Sequence, residues 1–223
     1  MENNIAPTST NKDETDKGGN PILYKMFKWI VVRPLLHLFY QEKIYGAENV
    51  PLTSNLIVVS NHASDFDPLI VGSCMGRPVA FMAKEELFTI PVISQAIQAF
   101  GAYPVKRGAG DRAAIRSAID SINKGWATGI FLQGTRTLDG KITEPKLGAA
   151  MIAAKTQAPF LPVSVWGTET IFPKGAKFPK LFQPVTVRIG ELIPAPDSSD
   201  RATLEAYTQK CAEAINALHA LGR

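Results

Sequence analysis

Five short runs of nearly continuous apolar residues, separated by stretches with helical spacing, restrict the folds open to this chain. They are LIVVS (56–60), VAFMA (79–83), GIFL (129–132), FLPVSVW (160–166) and VTVRIG (185–190). A strand that is apolar on both faces needs a sheet covered on both sides. Helical patterns at 68–75, 91–98, 111–124 and 145–156 supply the cover, so the class is α/β. A last helix is expected after Asp200, a good N-cap. Leu204, Tyr207, Cys211, Ile215, Leu218 and Leu221 recur there at helical spacing before Gly222. A chain of 223 residues suits one domain with appendages.

The appendages lie at the N-terminus. Residues 1–20, MENNIAPTSTNKDETDKGGN, are polar, lack the apolar core of a secretory signal and are expected to be disordered. Residues 21–45 read as a helical segment preceding a main domain of 46–223. On a helix, Leu23, Phe27, Ile30, Val31, Leu35 and Leu38 share one face, with Lys25, Lys28, Arg33 and His37 opposite. Its charges argue against a span, and Pro34 is expected to kink or divide it. Such a helix either lies in a bilayer interface or packs on the protein's own core. The stretch IFPKGAKFPKLFQP (171–184), with Lys174, Lys177 and Lys180 among Phe172, Phe178 and Phe182, allows a lipid-facing reading or an ordinary surface loop.

Charge and cysteine content exclude some classes. A net charge of +4 suits an anionic partner, but no nucleic-acid motif accompanies it, so none is expected to bind. The two cysteines, Cys74 and Cys211, read as buried thiols, and the three histidines, His37, His62 and His219, lie far apart. No metal site or cofactor is expected, and the location expected is a reducing, cytosol-facing one.

One histidine stands out. In VVSNHASDFDPLI (58–70), His62 follows a strand and Asp67 lies five residues on, directly before Pro68. On a regular helix these two would sit about 140° apart and could not meet. If a loop joins the strand to a helix starting at Pro68, with Asp67 as its cap, the chain can fold back and bring the carboxylate to the ring. A histidine oriented by an aspartate is a general base; a plain turn followed by a cap would account for the same letters. Two further segments, GAYPVKRG (101–108) and FLQGTRTLDG (131–140), put cations beside glycine after a strand pattern. Gly134 lets backbone approach an anion, Thr135 brings a hydroxyl, Arg136 a rigid fork, and Lys106 and Arg107 more positive charge.

In this order and at these separations, NHASDFDP, GAYPVKRG, FLQGTRT and FLPVSVWG resemble the four motif blocks of the glycerolipid acyltransferase family, over roughly residues 35–195. The resemblance implies a single-domain fold with a mixed sheet flanked by helices and an N-terminal membrane-binding helix. It implies acyl transfer from acyl-CoA or acyl-carrier protein to the sn-2 hydroxyl of 1-acylglycerol 3-phosphate. His62 would be the base, Asp67 its orienting group, and Lys106, Arg107, Gly134, Thr135 and Arg136 the phosphate contacts. Membrane lipids would be partners, with the protein peripheral on the cytoplasmic face rather than spanning. The third block departs from the family, which usually has glutamate where this chain has Gln133, and PKLG (145–148) lacks the aromatic often found before its lysine. A serine hydrolase using Ser60 or Ser64 is a rival reading, though no G-x-S-x-G turn occurs. A membrane-binding module that has lost the chemistry is another.

Overall fold

The structure, a computed structural model, describes residues 20–105, 111–171 and 178–223. Each of the five apolar runs forms a strand, and two three-residue strands complete the sheet at its edges. In chain order these are β1 (Lys43–Tyr45), β2 (Ile57–Ser60), β3 (Val79–Lys84), β4 (Tyr103–Val105), β5 (Ala127–Phe131), β6 (Phe160–Trp166) and β7 (Thr186–Ile189). They pair as β1-β7-β6-β2-β5-β3-β4. Only β6–β7 is antiparallel, so the sheet is mixed. Every residue of β2, the middle strand, is buried, as its unbroken apolar sequence requires. Pro162, which cannot donate, falls one residue before β6 begins to pair with β7 at Val163↔Ile189, and its carbonyl accepts from Gly190 N at 2.9 Å.

Five helices cover the sheet: α3 (Asp67–Cys74), α4 (Pro91–Ala99), α5 (Asp111–Asn123), α6 (Gly148–Thr156) and α7 (Arg201–Ala220). Right-handed crossovers carry α3 and α4 over one face, while α5 and α6, whose connections run the other way along the sheet, cover the opposite face with α7. Asp200 caps α7, its Oδ1 accepting from Thr203 N at 2.9 Å. The helical repeat runs inward as expected at Leu204, Cys211 and Ile215, but the last turn buries His219 while Leu221 stays exposed.

The N-terminal helix continues past Pro34, expected to kink or divide it, with a local irregularity just before the proline. Between α1 (Pro21–Phe27) and α2 (Arg33–Tyr40), residues Lys28–Val32 form a π turn in which Arg33 N donates to Lys28 O. The wider turn makes room for the proline ring that follows. The helical segment also ends sooner, at Tyr40, where Gln41 takes a left-handed φ of 42°, and the sheet already starts at Lys43. Finally, Lys28 is buried and Arg33 half-buried, while Lys25 and His37 stay exposed. Tyr24, Lys28, Val32, Leu36 and Tyr40 form the buried stripe. Lys28 Nζ donates to Met75 O, and Arg33 pairs with Glu42. Leu23, Ile30, Leu35 and Leu38 are exposed as a group, together with Ile22, Met26 and Trp29, whereas Phe27 turns to Phe100 with ring centroids 6.2 Å apart. Among the described residues, no helix is long and apolar enough to cross a membrane.

Candidate active site

The carboxyl end of the central strand delivers the site. β2 stops at Ser60, level with Phe131 at the end of β5, so the segments after both strands leave the same edge side by side. Ligand sites in α/β sheets form at such edges.

His62 is held from several directions. Its Nδ1 lies 2.8 Å from Asp67 Oδ2. The same oxygen accepts from Ala63 N at 2.7 Å and Ser64 N at 2.8 Å. These bonds fold the 62–67 loop back on itself and place the carboxylate beside the ring. Asp67 is therefore not the N-cap expected of it: it is the first residue of α3, Phe66 takes the cap position, and its side chain serves the preceding loop. The Asp67 side chain is fully buried, while that of His62 is 17% exposed. Among the described residues no hydrogen bond reaches His62 Nε2. With Nδ1 bound to a carboxylate, Nε2 is the nitrogen left to exchange a proton with an incoming group.

Aromatic packing sets the ring's plane. His62 stacks on Phe131, centroids 4.0 Å apart and planes 12° apart, and Phe131 stacks on Phe81 at 5.4 Å. Phe81 in turn lies over Gly129, where a Cβ would come within 2.2 Å of its ring. This column of Gly129, Phe81 and Phe131 was not legible as part of the site, although Phe131 opens the FLQGTRT block.

The cationic loop runs beside the histidine. Gly134, at φ 70°, takes the conformation that favours glycine, and Thr135 and Arg136 are exposed next to it. Thr137 N donates to His62 O at 2.8 Å, tying this loop to the histidine's own backbone. Arg136 Nη1 donates to Asp65 Oδ2 at 2.7 Å, so the resting arginine is paired with a carboxylate of the His62 loop. Gln133 turns away: its Oε1 accepts from Thr143 N at 2.9 Å, closing the loop's base. Lys146, assigned no role from sequence, passes 4.0 Å from where a Cβ on Gly134 would stand and adds a second cation. Sequence-predicted His62, Asp67, Gly134, Thr135 and Arg136 thus share one edge of the sheet, while Lys106 and Arg107 lie outside the described residues.

The serine-hydrolase arrangement is absent. Ser60 and Ser64 are both fully buried. Ser60 Oγ donates to Asn61 Oδ1 and Ser64 Oγ accepts from Phe66 N, and among the described residues no hydrogen bond joins either hydroxyl to His62. Among the described residues, no cluster of histidine, cysteine, aspartate and glutamate could hold a metal ion.

A family model described as Acyltransferase matches residues 41–166, more than half of the chain. A chloroplastic 1-acyl-sn-glycerol-3-phosphate acyltransferase of Brassica napus is 34% identical over 145 residues, 64% of this chain and 42% of the relative. The 1-acyl-sn-glycerol-3-phosphate acyltransferase of Borreliella burgdorferi is 34% identical over 137 residues, 60% of this chain and 55% of the relative. The chain thus spans about half the length of these curated relatives. The crystal structure of the 1-acyl-sn-glycerophosphate acyltransferase PlsC from Thermotoga maritima superposes with a TM-score of 0.68 at 32% identity. That match covers 88% of this chain and 78% of the other.

Proposed function

The chain belongs to the acyltransferase family, and from that premise we propose that it moves a fatty acyl group from acyl-CoA or acyl-carrier protein to the sn-2 hydroxyl of 1-acylglycerol 3-phosphate, giving phosphatidic acid. The observation carrying this reading is the His62–Asp67 pair, with Nε2 left without a hydrogen bond among the described residues and Arg136 on the adjoining loop. The acceptor hydroxyl gives its proton to Nε2 as its oxygen attacks the thioester carbonyl. A C–O bond forms, the C–S bond breaks, and the departing thiolate takes the proton back from the imidazolium. Asp67 stays ionised throughout, steadying the ring's tautomer and then its charge. The thioester is already an activated acyl group, so the scheme needs neither an acyl-enzyme nor a cofactor.

The acceptor's phosphate falls to Arg136, whose planar fork suits two phosphate oxygens, with the Gly134 backbone and the Thr135 hydroxyl on the same turn. Lys106 and Arg107 join them on sequence grounds. Asp65 yields Arg136 when phosphate arrives, since an exposed pair of this kind holds by at most about 1 kcal/mol. The acceptor is an amphiphile, and the exposed apolar face of the N-terminal helix supports a peripheral, monotopic seat on the cytoplasmic face of a membrane.

The test is an acceptor and donor panel with purified protein in vesicles, run beside His62→Ala. Lysophosphatidate is expected to be the best acceptor, and the variant to lose at least about a hundredfold in turnover. Preference for glycerol 3-phosphate or another lysophospholipid would reassign the acceptor, and unchanged turnover in the variant would end the reading.

A further inference from the structure

The loop that carries Arg136 leaves β5 at Leu132 and does not enter α6 until Gly148, with no helix or strand between. A connection of that length usually moves. Its near arm is fixed to the histidine loop through Thr137. Its far arm, residues 139–142, is fixed by something the motif blocks do not contain, the last turns of α7.

Asn216 grips the peptide unit of Ile142 at both ends. Its Oδ1 accepts from Ile142 N at 2.9 Å, and its Nδ2 donates to Ile142 O at 2.8 Å. One turn on, the His219 ring is nearly buried, with Nε2 3.0 Å from Asp139 O and Nδ1 3.2 Å from Ser164 Oγ. Asp139 O can only accept, so Nε2 carries the hydrogen and Nδ1 accepts from the serine. Asn61, adjacent to His62 and buried, completes the clamp. Its Nδ2 donates to Gly140 O and Val165 O, both at 2.9 Å, and its Oδ1 accepts from Val165 N at 2.8 Å. The loop backbone presses directly on these side chains: a Cβ at Gly140 would lie 2.6 Å from His219 and 3.1 Å from Asn61.

An apolar face would have sufficed to hold α7 on the sheet, and Leu204, Cys211 and Ile215 already do so. Asn216 and His219 instead present polar atoms to the backbone of one loop, at i and i+3 on the helix. Hydrogen bonds to backbone fix register in a way apolar packing does not. We propose that Asn216 and His219 are positioning residues for the acceptor, clamping the far arm of the Arg136 loop from α7 and so setting where the guanidinium stands relative to His62. The inference rests on the acyl-transfer reading, and α7 lies beyond the residues matched by the family model.

The experiment compares Asn216→Ala, His219→Ala and His219→Gln with the parent, in steady-state kinetics and in hydrogen exchange. The alanine variants are expected to raise the acceptor KM about tenfold, with kcat within about threefold and the donor KM unchanged. His219→Gln, whose amide can still donate to Asp139 O, should stay within about threefold of the parent in KM. Independently of turnover, the Ile142 amide should be protected in the parent and exchange at least about tenfold faster in Asn216→Ala. Folded variants with unchanged acceptor KM would overturn the proposal. So would losses spread equally over kcat and both KM values, or an Ile142 amide that exchanges freely in the parent. A parent that acylates neither a lysophospholipid nor glycerol 3-phosphate defeats the acyl-transfer reading and the acceptor role together; a normally active parent with unaffected variants defeats the clamp alone.

Discussion

The Asp67 side chain makes its three hydrogen bonds through one oxygen, to His62 Nδ1, Ala63 N and Ser64 N, and so has two separable jobs. Asparagine keeps an acceptor for the two backbone donors but removes the charge that steadies an imidazolium. Asp67→Asn is therefore expected to lower kcat by about 10²–10⁴-fold and, although its NH2 takes the place of the buried, unpartnered Oδ1, to lose less Tm than the alanine variant. Asp67→Ala loses as much activity and also leaves two buried N–H groups unpaired, at about 1–3 kcal/mol each. Urea unfolding of the two variants separates the jobs; equal stability would show that the backbone bonds matter less than their geometry suggests. Gln133 invites the opposite prediction. Its Oε1 accepts from Thr143 N, a bond that glutamate can also make, so Gln133→Glu should leave kcat and acceptor preference within about threefold. A sharp change of preference would mean that charge at 133 acts on the acceptor. The His62–Asp67 contact was legible because it is local: five residues, a strand end and a proline confine it. Phe131 was not, because its stacking on His62 depends on Ser60 standing opposite Phe131, a pairing of strands far apart in sequence that no local pattern encodes.

Among the elements, α7 depends visibly on its first residue pair. Asp200 Oδ1 accepts from Thr203 N and Oδ2 from Thr203 Oγ1, and these bonds hold the carboxyl well below its ordinary value of 3.8. A carboxyl depressed on folding binds fewer protons in the folded chain than in the unfolded one, so stability rises with pH across that window. The cap's contribution is complete above about pH 4 and fades as the pH falls further. The parent's Tm advantage over Asp200→Ala should therefore be present at pH 7 and shrink in step below about pH 4; an advantage independent of pH would assign the cap to something other than the charged carboxylate. Pattern reading found the long elements, because a buried parallel strand needs an unbroken apolar run and a surface helix a periodic one. It missed β1 and β4, three residues each, which exist only because β7 and β3 offer partners. It also found the apolar face of the 21–40 helix, with Lys28 opposite, but left open whether that face meets a bilayer or the protein's own core. Periodicity defines faces and does not say which one meets the protein. Here Tyr24 OH donates to Gly72 O and Lys28 Nζ to Met75 O, and those two bonds turn Tyr24 and Lys28 inward.

At the scale of the whole molecule, that orientation leaves a helix with Lys28 and Arg33 bonded inside and its apolar residues in water. Ile22, Trp29, Ile30 and Leu38 are 64–70% exposed, and Phe178 and Phe182 are exposed as well, with Phe182 N donating to Phe39 O at the end of the same helix. Large apolar side chains exposed together from two segments mark a surface suited to a membrane or partner. With Lys28 and Arg33 bonded inward, its attraction for a bilayer should come mainly from apolar burial, at about 1.5–3 kcal/mol for each large side chain inserted. Two consequences distinguish this from a basic patch that skims anionic lipid. Ile30→Glu with Leu38→Glu should lower co-sedimentation with anionic vesicles by at least about tenfold, since each change both removes buried area and adds a charge that resists insertion. Raising salt should weaken binding of the parent by less than about threefold, because screening acts on charges and little on apolar area. Both side chains are exposed, so the double variant should keep the parent's Tm and its turnover of an acceptor dissolved below its micelle concentration, losing only turnover of acceptor embedded in vesicles. Strong salt sensitivity combined with normal vesicle binding by the double variant would move the docking surface elsewhere, to the lysines of the 171–184 stretch.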